Sequence, residues 1–296
     1  MKRMQHYIEF FLYKIGILLL GNFSLPVLWG IGKWVGWMNF YVFRIRRRVI
    51  DAQLALIYPE WSSSRRHQFI RCYLQRQFFF FLDFIKLMHL NASKLKQRVN
   101  NDGQYQKWCS QVTRERLIFV AGHFANFVMG TLYVHTAIHP VAGIVKRQSN
   151  YLIHRDFYQW MAKKGMILLE NRRDIKKISK LEIPPDYSLG ILIDQDAGRK
   201  GVMVPFMGFP ASTSRGPAYL ISKYRLRPIM VGMYLEKNLN YRIILDDLGA
   251  PDSDDPEYLM GCINQHLSGF IDLHPLDWFW LHRRWKTQVK RGEVTD

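Results

Sequence analysis

The chain has 296 residues, of which 48% are hydrophobic, enough to bury the core of one large α/β domain. Lys and Arg outnumber Asp and Glu by 42 to 24, and the resulting net charge of +18 attracts anionic lipid headgroups, an acidic protein or nucleic acid. No nucleic-acid recognition motif accompanies the charge, so we expect no nucleic-acid partner. The three cysteines are scattered, which predicts neither a disulfide framework nor a zinc cluster. We therefore expect the catalytic machinery to face a reducing cytoplasm.

The chain is strongly apolar from Tyr7 to Phe43, which predicts that the first 45 residues form a membrane-associated segment. Aromatic residues make up 15% of the chain, which is typical of proteins at a bilayer interface. A spanning helix needs about 20 apolar residues, and this run is interrupted at four positions: Glu9, Lys14, Pro26 and Lys33. A spanning or re-entrant hairpin, an in-plane amphipathic anchor and a buried hairpin of a soluble domain all stay open. The basic run Arg44–Arg48 marks the end of the segment as cytoplasmic.

The rest of the chain predicts an α/β fold with a mostly parallel sheet flanked by helices. Residues 48–90 are expected to be helical with a break at Pro59, after which a serine can cap the next helix. The predicted strands are Leu117–Val120, Ala142–Val145, Ile167–Leu169, Leu189–Ile193, Pro228–Met233 and Tyr241–Leu245. The predicted helices between them are Asn126–Ala137, Leu152–Lys164 and Pro217–Tyr224. This alternation is typical of a parallel sheet. The simplest division is a membrane-associated segment, 1–45, and one domain, 46–296.

His123 is the strongest candidate for chemistry. It follows the buried strand Leu117–Val120 and the small residues Ala121 and Gly122, at the point where a helix should begin. A histidine at a strand-to-helix turn faces a cleft with one ring nitrogen free, which is the position of a general base.

Two further segments favour a site at the same edge of the sheet. Asp194, Gln195 and Asp196 follow a predicted strand, and ligands of open parallel sheets bind at the carboxyl ends of strands. The segment Val202–Ala218 contains prolines and glycines and is interpreted as a shaped loop that ends in helix-capping serines. Its Arg215 is expected to lie near an anionic group.

The segment Trp278–Lys286 mixes tryptophans with cations near the end of the chain. Such a mixture suits a membrane interface or a phosphate-bearing headgroup. A solvated helix is the alternative interpretation.

Taken together, these motifs resemble those of the lipid A biosynthesis acyltransferases, a family that includes the late lauroyl and myristoyl transferases. The resemblance rests on the motifs Gly122–Phe127, Asp194–Asp196, Val204–Ala211 and Trp280–Lys286, and it covers nearly the whole chain. It implies a glycerolipid-acyltransferase-like sheet with an N-terminal membrane-associated helix. It also implies a bacterial inner-membrane enzyme whose catalytic face is cytoplasmic.

The resemblance further implies transfer of a fatty acyl chain to a hydroxyl of a lipid A precursor or a related membrane lipid. The donor would be acyl carrier protein or acyl-CoA, with no metal or organic cofactor. His123 would act as the general base, and the protein would meet an anionic membrane surface. The expected substrate-binding residues are Asn126, Arg147, Arg155, Asp194, Gln195 and Arg215.

One position departs from the family pattern, in which an acid follows the histidine after four residues. Val128 occupies that position, and valine can neither fix the tautomer of His123 nor stabilise its imidazolium. Three interpretations stay open: Asn126 or Asp194 orients His123 instead, the enzyme is slower and uses a different acceptor, or the chain is a non-catalytic relative that binds lipid or serves as a scaffold.

Overall fold

The computed structural model describes residues 2–101, 103, 116–171, 174–250 and 252–291. Five helices come first in the chain: α1 (Lys2–Leu20), α2 (Leu25–Met38), α3 (Arg47–Ile57), α4 (Ser63–Leu87) and α5 (Ala92–Arg98). Ser62 caps α4 by accepting a hydrogen bond from the Arg65 amide at 3.2 Å, as expected for a serine after Pro59. Among the described helices, none has the length and apolarity needed to cross a bilayer.

Helices α2 and α4 pack backbone against backbone through two glycines. A Cβ atom at Gly32 would lie 2.8 Å from the Phe79 amide nitrogen, and one at Gly36 would collide with the backbone of Gln75. The four-residue spacing places both glycines on one face of α2. The N-terminal segment therefore packs directly on the helical layer, with Leu28 buried in the same apolar cluster as Phe79.

A seven-stranded sheet forms the centre of the molecule. Its strands are β1 (Val99–Asn100), β2 (Leu117–Ala121), β3 (Val141–Val145), β4 (Ile167–Glu170), β5 (Ser188–Leu192), β8 (Arg227–Leu235) and β9 (Tyr241–Asp247). The strand order is β1-β9-β8-β2-β5-β3-β4. All neighbours are parallel except β8 and β9, which are antiparallel. The predicted α/β class with a mostly parallel sheet is confirmed.

The later helices lie around this sheet: α6 (Phe127–Tyr133), α7 (Tyr151–Lys163), α8 (Ile175–Lys180), α9 (Gly216–Tyr224), α10 (Pro256–Leu273) and α11 (Lys286–Arg291). A π-helical turn, Val134–Ile138, continues α6, so the helix predicted over Asn126–Ala137 is present in two parts. One apolar cluster joins α3, α4, α9 and α10 with β2 and β5, and a second joins α2, α4 and α6 with β2 and β8. The sheet is thus buried on both faces.

A separate two-stranded ribbon replaces the loop predicted over Val202–Ala218. Its antiparallel strands are β6 (Val202–Phe206) and β7 (Phe209–Thr213). Met207 and Gly208 connect them with positive φ angles of 51° and 81°, values typical of a tight hairpin turn. Pro205 and Pro210 face each other in register, a position open to proline because both strands of a ribbon are edges.

Candidate active site

His123 lies on the turn that leaves the central strand β2. Gly122 allows the turn, since a Cβ atom there would lie 2.9 Å from the Phe124 ring and 3.2 Å from Oδ2 of Asp194. Ala125 has the unusual φ angle of +46°, and its amide donates to the Asp277 carbonyl at 2.7 Å. The turn therefore holds the His123 side chain at the carboxyl edge of the sheet.

Strand register brings Asp194 beside His123. Strands β2 and β5 are parallel neighbours in which Ala121 pairs with Leu192. His123 and Asp194 each follow these paired residues by two positions, so both emerge at the same edge. Nδ1 of His123 lies 2.7 Å from Oδ1 of Asp194, and the His123 amide donates to Oδ2 at 2.8 Å. The pair forms a histidine–carboxylate dyad.

Asp194 is a buried, ionised carboxylate. Its side chain is 3% exposed, and Oδ2 also accepts a hydrogen bond from the Trp278 indole at 2.8 Å. Burial raises the pKa of the Asp194 carboxyl, but the charge of His123, its two hydrogen bonds and the Trp278 indole hold the pKa at about 2. Asp194 therefore carries its negative charge throughout the physiological pH range.

His123 is left with one ring nitrogen toward the open side of the site. Its side chain is 19% exposed, and Nε2 lies 3.4 Å from Nε2 of Gln195. Burial lowers the pKa of His123, but the charge and hydrogen bond of Asp194 raise it more, so the pKa lies above the usual 6.5. Because Asp194 accepts the proton on Nδ1, neutral His123 carries its lone pair on Nε2, as a general base requires, and the Gln195 side-chain amide can donate to that lone pair.

The side chains of Val128 and Asn126 make no hydrogen bond to the dyad in the described part of the chain. Val128 lies in the first turn of α6 and is buried among apolar residues. Asn126 caps α6 through the Met129 amide at 3.3 Å and donates to Oδ2 of Asp83 at 3.2 Å. Of the two residues expected to orient His123, Asp194 makes the contact, whereas Asn126 belongs to a buried network around Asp83.

The predicted cationic residues all lie on the surface. Arg147 follows β3, which neighbours β5, so it leaves the sheet at the same edge as the dyad. Arg155 is exposed on the first part of α7, and Arg215 is exposed immediately before α9. No hydrogen bond brings any of these three arginines to the dyad.

The segment Trp278–Lys286 is neither a solvated helix nor a surface patch, which corrects both interpretations of its sequence. Trp278, Trp280 and Trp285 are 0–3% exposed, and Arg284 is fully buried. Arg284 donates to the Ser212 carbonyl at 2.6 Å and stacks on Phe206 at 4.6 Å. Trp278 and Trp285 face inward, where both rings contact Phe206 of β6.

The motifs do not predict the hydrogen bond from Trp278 to Asp194. A tryptophan among cations indicates an interface, and its inward orientation depends on how the segment folds.

Asp196 has a structural role, because its carboxylate accepts from the Thr287 amide at 2.9 Å and the Thr287 hydroxyl at 2.8 Å. Its own amide donates to Nε2 of His282 at 3.0 Å.

An apolar cavity opens beneath the His123 turn. The space open to the centre of a water molecule is about 110 Å³, and the cavity reaches the turn at Gly122 and Phe127. Its floor is a row of residues paired across four strands: Phe119, Gly190, Gly143 and Leu168. Two adjacent glycines remove side chains from the middle of this row. The cavity suits a flexible hydrocarbon rather than a polar ligand.

Within the described residues, no group of three or more His, Cys, Asp or Glu side chains is arranged to hold a metal ion. Two of the three cysteines, Cys72 and Cys262, are present there as free thiols. The described residues thus place a histidine–carboxylate dyad above an apolar cavity.

The chain belongs to the bacterial lipid A biosynthesis acyltransferase family, whose family model matches residues 1–287. This membership confirms the resemblance indicated by the motifs. The chain is similar to the lipid A biosynthesis lauroyltransferase of Escherichia coli strain K12, with 21% identity over 280 residues that cover 93% of this chain and 90% of that relative.

Proposed function

We propose that this protein transfers a fatty acyl chain from a thioester donor to a hydroxyl of a lipid A precursor or a related membrane lipid. The observation that carries the proposal is the 2.7 Å contact between Nδ1 of His123 and Oδ1 of Asp194. Asp194 thereby provides the acid that is missing at Val128. Without such an acid, a non-catalytic relative would be the favoured interpretation.

Nε2 of His123 takes the proton of the acceptor hydroxyl while that oxygen attacks the thioester carbonyl carbon. A tetrahedral intermediate forms, with its negative charge on the former carbonyl oxygen. Collapse breaks the carbon–sulfur bond, and the departing thiolate takes the proton back from His123. The products are an ester and a thiol. Asp194 stabilises the imidazolium that exists between the two proton transfers.

Gln195 is proposed to contact the reacting atoms. Its side-chain nitrogen lies 3.4 Å from Nε2 of His123 on the exposed side of the dyad. An amide N–H at this position can donate to the oxyanion of the tetrahedral intermediate. The same position makes Gln195 a neighbour of the acceptor hydroxyl when that hydroxyl approaches Nε2.

The apolar cavity is proposed to hold the acyl chain. Its wall reaches the His123 turn at Gly122 and Phe127, so a chain lying inside places its thioester carbon beside the base. The E. coli relative is named a lauroyltransferase, which supports a medium-length saturated chain. The donor is acyl carrier protein or acyl-CoA, and the net charge of +18 favours the acidic carrier protein.

The acceptor is proposed to approach from the exposed cationic side. Arg147 leaves the sheet at its carboxyl edge, and Arg155 and Arg215 are exposed on α7 and immediately before α9. Exposed guanidinium groups suit an anionic headgroup. Asn126 and Asp194, both expected to bind substrate, are buried, so they are proposed to act through the α6 cap and through His123 respectively.

The N-terminal segment is proposed to lie on the cytoplasmic face of the bacterial inner membrane. Among the described residues, fifteen large hydrophobic side chains are exposed within residues 4–45, against four elsewhere. The exposed arginines Arg44, Arg46 and Arg48 follow directly and suit anionic headgroups. Such a surface binds a bilayer through apolar insertion combined with charge attraction.

The test is acyl transfer by purified protein from an acyl-carrier-protein thioester to membrane lipid extract, followed by mass spectrometry. We expect a lipid product that is heavier by one acyl chain, and the same species should be lost from cells that lack the gene. His123→Ala should abolish its formation. His266→Ala is the matched control, because His266 also contacts an aspartate, Asp246 at 2.6 Å, but lies exposed and outside the site.

Equal transfer by wild type and His123→Ala would exclude His123 as the base. No product with either acyl donor, from a protein that still binds lipid vesicles, would favour the non-catalytic scaffold.

A further inference from the structure

We propose that Trp278 is a positioning residue of this site, whose indole N–H holds the Asp194 carboxylate in the orientation that His123 needs. The inference rests on the proposed role of His123 as a base. The C-terminal segment, whose sequence indicates a surface patch, would then have a role in the site.

The two oxygens of Asp194 have different partners. Oδ2 accepts from the Trp278 indole and from the His123 backbone amide, both at 2.8 Å. Oδ1 is thereby directed at Nδ1 of His123, 2.7 Å away. Because Asp194 is 3% exposed, bulk water is poorly placed to replace a lost donor. Without the indole, a single backbone amide restrains rotation of the carboxylate on that side.

Trp278 is itself firmly held. It is 1% exposed, and its ring contacts Phe206 and Trp280 at centroid distances of 5.5 and 4.7 Å. Its backbone forms a bridge with Phe124, one residue after His123. A ring packed on these sides presents its N–H in one direction, which is the property a positioning donor requires.

The preceding residue, Asp277, secures the other half of the dyad. Its carbonyl accepts the Ala125 amide at 2.7 Å, and its carboxylate is paired with Arg76 at 2.7 Å. Asp277 thus holds the turn that carries His123, while Trp278 holds Asp194. Two consecutive residues of the C-terminal segment therefore fix both members of the dyad relative to each other.

The other charged and titratable groups near the dyad are bound elsewhere. Nε2 of His282 accepts from the Asp196 amide, and the Asp196 carboxylate accepts from Thr287. Arg284 donates to Ser212 and Thr213. Within the described chain, the hydrogen bonds to the Asp194 side chain come from His123 and Trp278.

The test compares Trp278→Phe with Trp285→Phe in the full-length protein. Both substitutions keep a buried aromatic ring, but the Trp285 indole nitrogen has no hydrogen-bond partner within the described residues. We expect Trp278→Phe to lower kcat about tenfold with KM unchanged, because the loss concerns the orientation of the base. Trp285→Phe should stay within about twofold of wild type.

A proton NMR signal separates this role from a general packing effect. The His123 Nδ1 proton, held by Asp194, should give a low-field resonance in wild type and in Trp285→Phe. In Trp278→Phe the resonance should broaden as the loosened carboxylate lets the proton exchange with water. An unchanged kcat and resonance in Trp278→Phe, or an equal loss in both variants, would overturn the proposal.

A measurement on the wild-type protein covers the case in which Trp278→Phe fails to fold. With nitrogen-15-labelled tryptophan, the Trp278 indole resonance should shift as His123 titrates, and the Trp285 resonance should not. A Trp278 indole chemical shift that does not change as His123 titrates would also overturn the proposal. Absence of acyl transfer in wild type would contradict the proposed function alone, and these resonances would still decide whether Trp278 positions Asp194.

Discussion

Asp194 lies 71 residues after His123 in the chain, yet its Oδ1 atom is 2.7 Å from Nδ1 of the histidine because two parallel strands end side by side. In the family pattern the acid follows the histidine after four residues. In this chain that position is Val128 of α6, which is buried in an apolar cluster, and the carboxylate comes from the end of the neighbouring strand β5. The orienting acid thus comes from another element of the same sheet edge.

Replacing Asp194 with asparagine should remove activity through the wrong tautomer of His123. Two N–H donors converge on Oδ2, so the amide oxygen of the asparagine must occupy that position. Its NH₂ group then faces Nδ1, which has to accept, and the proton of the neutral ring moves to Nε2. We expect kcat to fall about 10³–10⁴-fold with the fold intact. Steady-state kinetics and circular dichroism check this, and a loss below tenfold would contradict it.

The pH dependence of transfer should follow the protonation of His123. The base must be neutral, and the pKa of His123 lies above 6.5 because Asp194 outweighs the effect of burial. The rate should therefore be high at alkaline pH and fall as the pH drops through a midpoint above 6.5.

In Asp194→Asn the effect of burial remains without the opposing charge, so the pKa of His123 should fall below 6.5. NMR titration of His123 in both proteins checks the two directions. A pKa that is equal in both would show that Asp194 does not act on His123.

Replacing Val128 with the acid of the family pattern should lower the stability of this protein. Val128 is 9% exposed and lines the apolar cavity, where Val128→Glu would bury a carboxylate without a partner. Nδ1 of His123 is already bound to Asp194. We expect a free energy of unfolding lower by about 1–3 kcal/mol and no gain in transfer. Val128→Leu is the control for added volume. A strong rise in transfer by Val128→Glu would show that the wild-type dyad is incomplete.

The cavity floor should set the preferred acyl chain length. A Cβ atom at Gly143 would lie 3.1 Å from the Met166 methyl and 3.3 Å from Leu168, so Gly143→Ala narrows the cavity while its neighbours adjust. We expect kcat/KM for the longest accepted chain to fall on the order of tenfold relative to shorter chains. Competition between acyl donors of different length measures this ratio.

Gly261→Ala is the control, because its added methyl meets no atom within 4 Å. The same change of chain-length preference in both variants would place the acyl chain outside this cavity.

Two exposed tryptophans should anchor the protein to lipid. Trp34 and Trp37 are 63% and 45% exposed on α2. The double substitution Trp34→Ser with Trp37→Ser should weaken binding to anionic vesicles by tenfold or more. Burying one aromatic side chain in an apolar environment contributes on the order of 1.5–3 kcal/mol to the binding free energy. Cosedimentation measures the binding. Leu273→Ser, at a side chain 76% exposed away from this segment, should leave binding unchanged. Equal loss in both proteins would contradict the proposed membrane surface.

The sheet was predictable from the sequence because its strands are buried on both faces and are therefore nearly continuous apolar runs. All six predicted strands are present within two residues of their expected ends, as for Leu117–Val120, which extends to Ala121. The β6–β7 ribbon was missed because Pro205 and Pro210 indicate a loop, and only their register shows that both occupy edge positions. The short β1 has two residues, too few to form a pattern.

The site was predictable in part. The turn after β2 identified His123, and the strand end at Ile193 identified the segment that contains Asp194. The pairing of the two depends on which strands are neighbours, and a single sequence does not state the order β2-β5-β3. The role of Trp278 depends on the path of the C-terminal segment beneath the ribbon. The mixture of tryptophans and cations in this segment indicates a surface interface, whereas its tryptophans are buried.

A kinetic double-mutant cycle tests most directly whether His123 and Asp194 act as one base. Transfer from an acyl-carrier-protein thioester is measured for wild type, His123→Ala, Asp194→Asn and the double variant. Residues that act as a unit are strongly non-additive, so we predict that the double variant is no slower than His123→Ala alone. If the two losses multiplied, or if His123→Ala kept the wild-type rate, the dyad would not be the catalytic base.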